Sequence, residues 1–173
     1  MKRSDVITYH ASRGFAMQLY LLRHGVADWP DWDAARDDER PLTDAGIVKM
    51  KAEAETIERL ELDLKALLTS PLARARQTAE SVGERLDLRP IEEPALAPGF
   101  NVKRLQEVLK RYPDATAIMI VGHEPDFSRT IAQLIGGGRV AMKKGGLARV
   151  DLESIDPPKG ELVWLLAPKT LLR

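Results

Sequence analysis

The chain has no cysteine at any of its 173 positions. That excludes disulfides, thiol nucleophiles and cysteine-held metals, and it suits a reducing compartment, so a cytoplasmic setting is expected. Nor is there an excess of either charge: 26 basic and 26 acidic residues give a formal net charge of zero. No global field draws the chain to nucleic acid or to an anionic membrane, neither is expected as a partner, and any site for an anion has to be local. No apolar run approaches the ~20 residues of a membrane span. Histidine is scarce, with only His10, His24 and His123. Internal repeats, low-complexity tracts and interdomain linkers are also missing.

What is present fits one soluble domain with its own core, at 44% hydrophobic and 30% charged residues. Residues 1–16 carry Lys2 and Arg3 but no apolar stretch of the kind a secretory signal needs. Met17 stands just ahead of the first strong strand. The expected organisation is an N-terminal extension over 1–16 and a single domain over 17–173.

Apolar patterning predicts strands over Gln18 to Arg23, Leu64 to Thr69, Pro90 to Glu93, Ala117 to Val121, Ala148 to Leu152 and Leu162 to Leu166. Helices are expected from Thr43, as N-cap, through Leu60, then over Leu72 to Leu86, Val102 to Arg111 and Asp126 to Ile135, the last closed by Gly136-Gly137-Gly138. Val26 to Arg40 reads as a loop, and Pro157, Pro158 and Gly160 as a turn. Alternating strands and helices imply an α/β fold, a three-layer α/β/α sandwich with a mostly parallel central sheet. The last two strands are too close for a helix between them, so the sheet should be mixed.

Three of these strands end in polar groups of one chemical kind. The first runs Leu19-Tyr20-Leu21-Leu22 into Arg23-His24-Gly25, the second ends in Ser70-Pro71 with Arg74 and Arg76 in the next helical turn, and the fourth ends in Gly122-His123-Glu124. Ligands of parallel α/β sheets sit at the carboxyl ends of strands, so these segments can converge on one pocket. Arginine forks match phosphate oxygens and stabilise charge spread over a phosphoryl group in transfer. A neutral imidazole can attack phosphorus and carry the group covalently, and a second, protonated imidazole adds a donor. No metal or other cofactor is required. A metal site built from the two histidines and Glu124 is the competing chemistry, weakened by the neighbouring arginines. Arg76 reads as a solvated helix position.

These residues resemble the histidine phosphatase superfamily, with its phosphoglycerate mutase-like fold. The resemblance rests on Leu22-Arg23-His24-Gly25, on Arg40-Pro41-Leu42-Thr43-Asp44-Ala45-Gly46, on Thr69-Ser70-Pro71-Leu72-Ala73-Arg74-Ala75-Arg76-Gln77-Thr78-Ala79, and on Val121-Gly122-His123-Glu124-Pro125. The compact length and the Arg-Pro-Leu-Thr segment are similar to the small SixA-type phosphohistidine phosphatases. The resemblance implies His24 as the nucleophile that becomes phosphohistidine, Arg23 and Arg74 as phosphate-binding arginines and His123 as the second pocket histidine. It gives Arg40 either a place in the pocket or a role holding its loop.

Two departures from larger members bear on the substrate. No carboxylate of Glu92-Glu93-Pro94-Ala95-Leu96-Ala97-Pro98-Gly99 falls in register with the catalytic glutamate of mutases. Glu124 is then the candidate general acid, with a role at the N-terminus of the following helix as its alternative, and Asp28 and Asp126 are further candidates. The long insertions that roof the pocket of mutases are absent, so the site should be open. Phosphohistidine, whose leaving imidazole can already be protonated, needs less acid assistance than an alkyl phosphate. The expected activity is a metal-independent phosphatase acting on protein phosphohistidine. A phosphatase of small esters such as a sugar phosphate or nucleotide, a mutase, and a catalytically silent phosphate-binding module are the alternatives. Trp29 and Trp32 are expected to cover the core edge or meet a partner protein, and Lys143-Lys144-Gly145-Gly146 to form a solvated turn rather than edge the pocket.

Overall fold

The computed structural model describes residues 14–171. In chain order the elements are β1 (Met17–Arg23), a 3-10 turn (Ala34–Glu39), α1 (Asp44–Arg59), β2 (Ala66–Thr69), α2 (Ala73–Leu86), β3 (Ile91–Glu92), a second 3-10 turn (Pro94–Leu96), α3 (Val102–Leu109), β4 (Ala117–Gly122), α4 (Asp126–Leu134), β5 (Leu147–Ile155), β6 (Pro158–Leu166) and α5 (Pro168–Leu171). The expected extension lies outside the described residues up to position 13, while the Ala16 N–H already donates to Leu152 O at 2.7 Å.

One six-stranded sheet runs in the order β3-β2-β4-β1-β5-β6. β1 to β4 are mutually parallel, β5 is antiparallel to β1, and β6 is antiparallel to β5, so the sheet is mixed as expected. Residues of β1 alternate between two cores. Leu19 and Leu21 join Leu68, Ile118 and Ile120 under α3 and α4, through Leu105, Val108, Phe127 and Ile131. Tyr20 and Leu22 join Leu67, Met119 and Val121 under α1 and α2, through Met50, Ile57, Ala79 and Val82. With both faces covered, the central strands read as continuous apolar runs. Each fully buried leucine contributes about 1.5–3 kcal/mol. A one-residue slip would exchange the two faces, so the register of β1, and hence the position of its tip, is strongly specified.

Helix ends follow the local chemistry. Thr43 caps α1, its Oγ1 accepting from Gly46 N at 3.0 Å. Gly46 itself permits a close approach, because a Cβ there would stand 2.2 Å from Val26 O. α4 closes in a Schellman arrangement, with Gly137 N–H on Ala132 O at 2.7 Å and Gly136 N–H on Gln133 O at 3.2 Å.

Two expectations are corrected. The stretch from Val26 to Arg40 contains the first 3-10 turn, entered by Asp33, whose side chain accepts from Ala35 N at 2.9 Å. The turn near the C-terminus is tighter than predicted: Ile155 pairs with Pro158 and Leu152 with Gly160, so both Pro158 and Gly160 lie in β6. Proline is tolerated there because it opens an edge strand, where no ladder donor is lost.

Candidate active site

The tips of β1, β2 and β4 are adjacent in the sheet, and the groups expected to converge do so. A pocket of about 450 Å³ is lined by Arg23, His24, Arg74 and His123 on its floor, and by Asp28, Asp37, Arg40, Pro98, Gly99, Glu124, Pro125, Asp126, Arg129 and Lys144 around it. Its size is ordinary for a small-ligand cleft, ~300–1,000 Å³. His24, Arg74 and His123 are buried, whereas Asp28, Pro98, Gly99, Pro125 and Arg129 are exposed, so the pocket opens to solvent. Arg76, by contrast, pairs loosely with Glu92 at 3.8 Å and does not line the pocket.

The two imidazoles face each other with ring centroids 5.3 Å apart. His24 Nδ1 stands 2.8 Å from Gly25 O. A carbonyl only accepts, so this bond assigns the ring proton to Nδ1 and leaves a lone pair on Nε2. Burial, above all, holds the His24 pKa down to about 3; the Gly25 carbonyl opposes this, and His123, Arg74 and Arg23 add to it. His24 is therefore neutral at physiological pH, the state a nucleophile requires.

His123 Nε2 lies 2.8 Å from Ser70 Oγ, which also accepts from Leu72 N at 3.3 Å. With the hydroxyl donating to Nε2, the ring proton sits on Nδ1, which has no protein partner. Burial first, then the charge of Arg74, lowers the His123 pKa to about 4, with Asp37 opposing. The second imidazole is thus a neutral donor in this state of the protein, where the sequence suggested a protonated one.

Arg23 is anchored by Nη1 and Arg74 by both Nη atoms, and each has an unpartnered Nε. Arg23 Nη1 donates to Met142 O at 2.7 Å, and Arg74 Nη1 and Nη2 donate to Asp37 O at 2.6 Å and Asp37 Oδ2 at 2.9 Å. Arg23 Nε and Arg74 Nε are buried without a protein partner. Burial lowers both guanidinium pKa values, opposed by Glu124 and Asp28 at Arg23 and by Asp37 at Arg74. Such donors would be costly to bury for nothing. Together with His123 Nδ1 they give three unpaired buried nitrogens on side chains that line the same pocket as His24.

The remaining candidates separate. Arg40 lines the pocket and is also held in its own loop, donating through Nε to Asp37 Oδ1 at 2.9 Å and through Nη1 to Ala27 O. Both oxygens of Glu124 accept from Ser128, Oε1 from the N–H at 3.0 Å and Oε2 from the hydroxyl at 2.6 Å. That is the helix-terminus role the sequence offered beside the acid. Asp28 pairs with Lys144, and Asp126 Oδ2 accepts from Gly99 N at 2.7 Å. Among the described residues no cluster of three or more His, Cys, Asp or Glu side chains is arranged to hold a metal ion.

The turn at Lys143 to Gly146 edges the pocket, against expectation. Gly145 N–H donates to Arg23 O and His24 O at 3.1 Å, and Gly146 O accepts from Arg23 N at 3.0 Å. Strand-like bonds to the tip of β1 draw the turn in and bring Lys144 to the rim. Trp29 Nε1 donates to Pro41 O at 3.0 Å and Trp32 Nε1 to Arg36 O at 2.9 Å, so both indoles brace the loop beside the pocket. Sequence reasoning missed Asp37, one carboxylate in the run Asp37-Asp38-Glu39, and Thr78, whose Oγ1 accepts from Gly25 N at 3.0 Å and donates to Arg74 O at 2.8 Å. The Ser-Pro at the end of β2 was the available signal for the support of His123 by Ser70.

The chain is similar in sequence and fold to known proteins. An uncharacterized protein of Picosynechococcus sp. PCC 7002 is 36% identical over 171 residues, covering 90% of this chain and 99% of that one. The phosphohistidine phosphatase SixA of Escherichia coli K12 is 29% identical over 160 residues, covering 90% and 96%. The solved structure of SixA with tungstate superposes with a TM-score of 0.78 at 30% identity, over 90% of this chain and 99% of that one. A mycobacterial glucosyl-3-phosphoglycerate phosphatase, at 17% identity and a TM-score of 0.69, shares the fold. The family model of the histidine phosphatase superfamily (branch 1) matches residues 19–117, which hold the tips of β1 and β2 with His24 and Arg74. By that match, over more than half of its length, the chain belongs to the histidine phosphatase superfamily.

Proposed function

We propose that the domain over 17–173 is a phosphohistidine phosphatase that works without a metal and through a phosphorylated His24. The observation that carries the reading is the Nδ1–H bond of His24 to Gly25 O, which leaves a neutral Nε2 in a pocket whose lining holds the unpaired buried nitrogens of Arg23, Arg74 and His123. His24 Nε2 attacks phosphorus. Arg23 Nε, Arg74 Nε and His123 Nδ1 receive the phosphoryl oxygens and stabilise the charge they gain. A new N–P bond forms as the substrate's P–N bond breaks, and the departing imidazole keeps or takes up a proton from solvent, since Glu124 is committed to Ser128. Water then cleaves the phosphoenzyme to inorganic phosphate and restores His24.

The substrate class rests on the likeness to SixA over 90% of the chain and on the exposed rim, which can receive a phosphorylated side chain standing on another protein. No helix among the described residues is long and apolar enough to cross a membrane. The cysteine-free composition suits a cytoplasmic setting for such a substrate. The test is turnover of a phosphohistidine peptide beside a panel of sugar phosphates and nucleotides, with radiolabel trapped on the enzyme. Acid-labile label that disappears in His24→Ala, with preference for the peptide, supports the proposal. Full activity of His24→Ala would sink the mechanism, and preference for an ester would replace the substrate.

A further inference from the structure

Asp37 sits where a phosphatase has reason to avoid an anion. Its carboxylate lines the pocket and lies directly against Arg74, on the first 3-10 turn of the loop between β1 and α1. The contact is specific in its geometry. Arg74 has five N–H donors in a planar fork. Asp37 takes the outer edge of that fork with two different acceptors, its backbone carbonyl on Nη1 and its Oδ2 on Nη2. The inner edge, with Nε, has no protein partner. Asp37 therefore leaves the Nε edge of Arg74 open to another acceptor.

Asp37 is itself held. Its Oδ1 accepts from Arg40 Nε at 2.9 Å, with Arg40 Nη2 at 2.8 Å, and Arg40 Nη1 donates to the carbonyl of Ala27, a fully buried residue. A continuous chain of charge-assisted bonds therefore runs from the buried backbone after β1, through Arg40 and Asp37, to Arg74. Burial raises the Asp37 pKa, but the bond from Arg40 and the charges of Arg74 and Arg40 outweigh it and hold it below the ordinary carboxylate value. The bridge stays ionised wherever the enzyme would work.

We propose that Asp37 is a positioning residue for phosphoryl transfer, orienting Arg74 by its outer edge so that Nε faces the phosphoryl group, with Arg40 acting through Asp37. This inference rests on the phosphatase reading above. Arg23 makes the parallel plain: it also keeps Nε free, but its outer nitrogen is held by Met142 O. One arm of the clamp hangs from a backbone carbonyl alone, the other from a backbone carbonyl and a side chain that can be mutated. Small errors in such placement cost rate steeply.

The test uses the full chain and its Asp37→Ala, Asp37→Glu, Arg40→Ala and Asp37→Ala/Arg40→Ala variants. Two quantities are read: kcat and KM on a phosphohistidine peptide, and the affinity for orthovanadate by calorimetry, with thermal unfolding as the check on folding. Expected are a fall in kcat of about 10- to 100-fold in Asp37→Ala with a smaller change in KM, vanadate binding weakened about 10-fold or more, partial recovery in Asp37→Glu, and a double variant no worse than Asp37→Ala alone. A purely structural role would instead lower the unfolding midpoint and leave the folded fraction with normal kcat. Vanadate affinity that is unchanged or increased in Asp37→Ala would overturn the proposal and make Asp37 a competitor for Arg74, while leaving the phosphatase reading intact. Wild-type protein that binds vanadate, loses it in Asp37→Ala, and turns over no phosphohistidine would do the reverse.

Discussion

The floor of the pocket and its rim are made of different materials. On the floor, His24 and His123 sit at strand tips in β1 and β4, 7% and 4% exposed, oriented by Gly25 O and by Ser70 Oγ. The backbone here is itself fixed by the sheet: His24 N–H donates to Gly122 O, and Ser70 N–H to Val121 O, each at 3.0 Å. On the rim, Asp28 and Lys144 meet as an ion pair with half or more of the carboxylate in solvent, and Arg129 is exposed with no side-chain bond among the described residues. The floor has the rigidity that covalent chemistry at phosphorus requires, and the rim has the adaptability that recognition of a macromolecule tolerates. Substitutions should therefore split, changes on the floor or at the Asp37 support of Arg74 acting on kcat and changes elsewhere on the rim on KM.

The largest effects belong to the floor arginines. Arg23→Ala and Arg74→Ala are each expected to lower kcat by about 10²- to 10³-fold, the loss seen when a preorganised donor is removed from developing charge. Lysine should rescue neither, because it has no rigid fork and no Nε edge to offer. Steady-state kinetics on a phosphohistidine peptide measures this. A lysine variant with near-normal kcat would mean that charge alone, without the anchored geometry, is what the floor supplies.

This split also explains what was legible in the sequence. The floor could be read because its residues are bound to strong regular signals. An apolar run into Arg-His-Gly, a Ser-Pro at a strand end and a Gly-His after the central strand are each one residue from a register the core dictates. The rim and its supports could not. Asp37 is one of three successive acids, and only the fold shows that it alone reaches Arg74. Lys143 to Gly146 has turn composition, and its attachment to β1 depends on backbone bonds that carry no side-chain signature. The grip on Arg23 is a carbonyl, that of Met142, which any residue would provide. Pro158 and Gly160 mislead because breakers at an edge strand cost little.

The pH response tests the floor next. With pKa values near 3 and 4, His24 and His123 are neutral in the free protein above about pH 5. The rate kcat/KM should then show no acid limb from these groups between pH 5 and 8. In the unfolded chain both titrate near 6.5. Their burial as neutral rings therefore favours folding less as pH falls below 6.5, since the unfolded state takes up protons first. An acid limb near pH 6.5 in kcat/KM, lost in neither Asp28 nor Glu124 variants, would contradict the assigned state of His24.

Glu53 has the opposite sign and marks where floor and rim meet. It lies on α1, is fully buried with neither oxygen bonded, and has Lys49 Nζ at 4.0 Å as the one charge acting on it. It packs against Gly145, where a Cβ would stand 2.3 Å from Glu53 Oε2 and where φ is +77°. Burial pushes its pKa up to about 7, with Lys49 opposing. Between about pH 4.5 and 7 the unfolded carboxyl is ionised while the folded one keeps its proton, so wild-type stability falls across that window and is level above it. Glu53→Gln should remove this slope and stabilise the protein by about 1–3 kcal/mol at pH 8, with little effect at pH 4.5. Urea unfolding at the two pH values reads it directly. Equal gains at both would show that packing, rather than ionisation, sets the cost of Glu53.

The smallest effect expected is at the Asp28–Lys144 pair. An ion pair this exposed contributes less than about 1 kcal/mol to folding, and salt screens it further. Lys144→Ala should leave the unfolding midpoint nearly where it is. The charge it removes, however, stands on the turn that holds the tip of β1 and at the mouth of the pocket, where the proposed phosphorylated protein would arrive. Its loss should raise KM for a phosphorylated protein several-fold at low ionic strength, with kcat kept, and the difference should shrink as salt is added. If kcat fell instead and KM stayed, Lys144 would be acting through its turn on Arg23 and His24, and the line between floor and rim would have to be drawn outside residues 143–146 rather than through them.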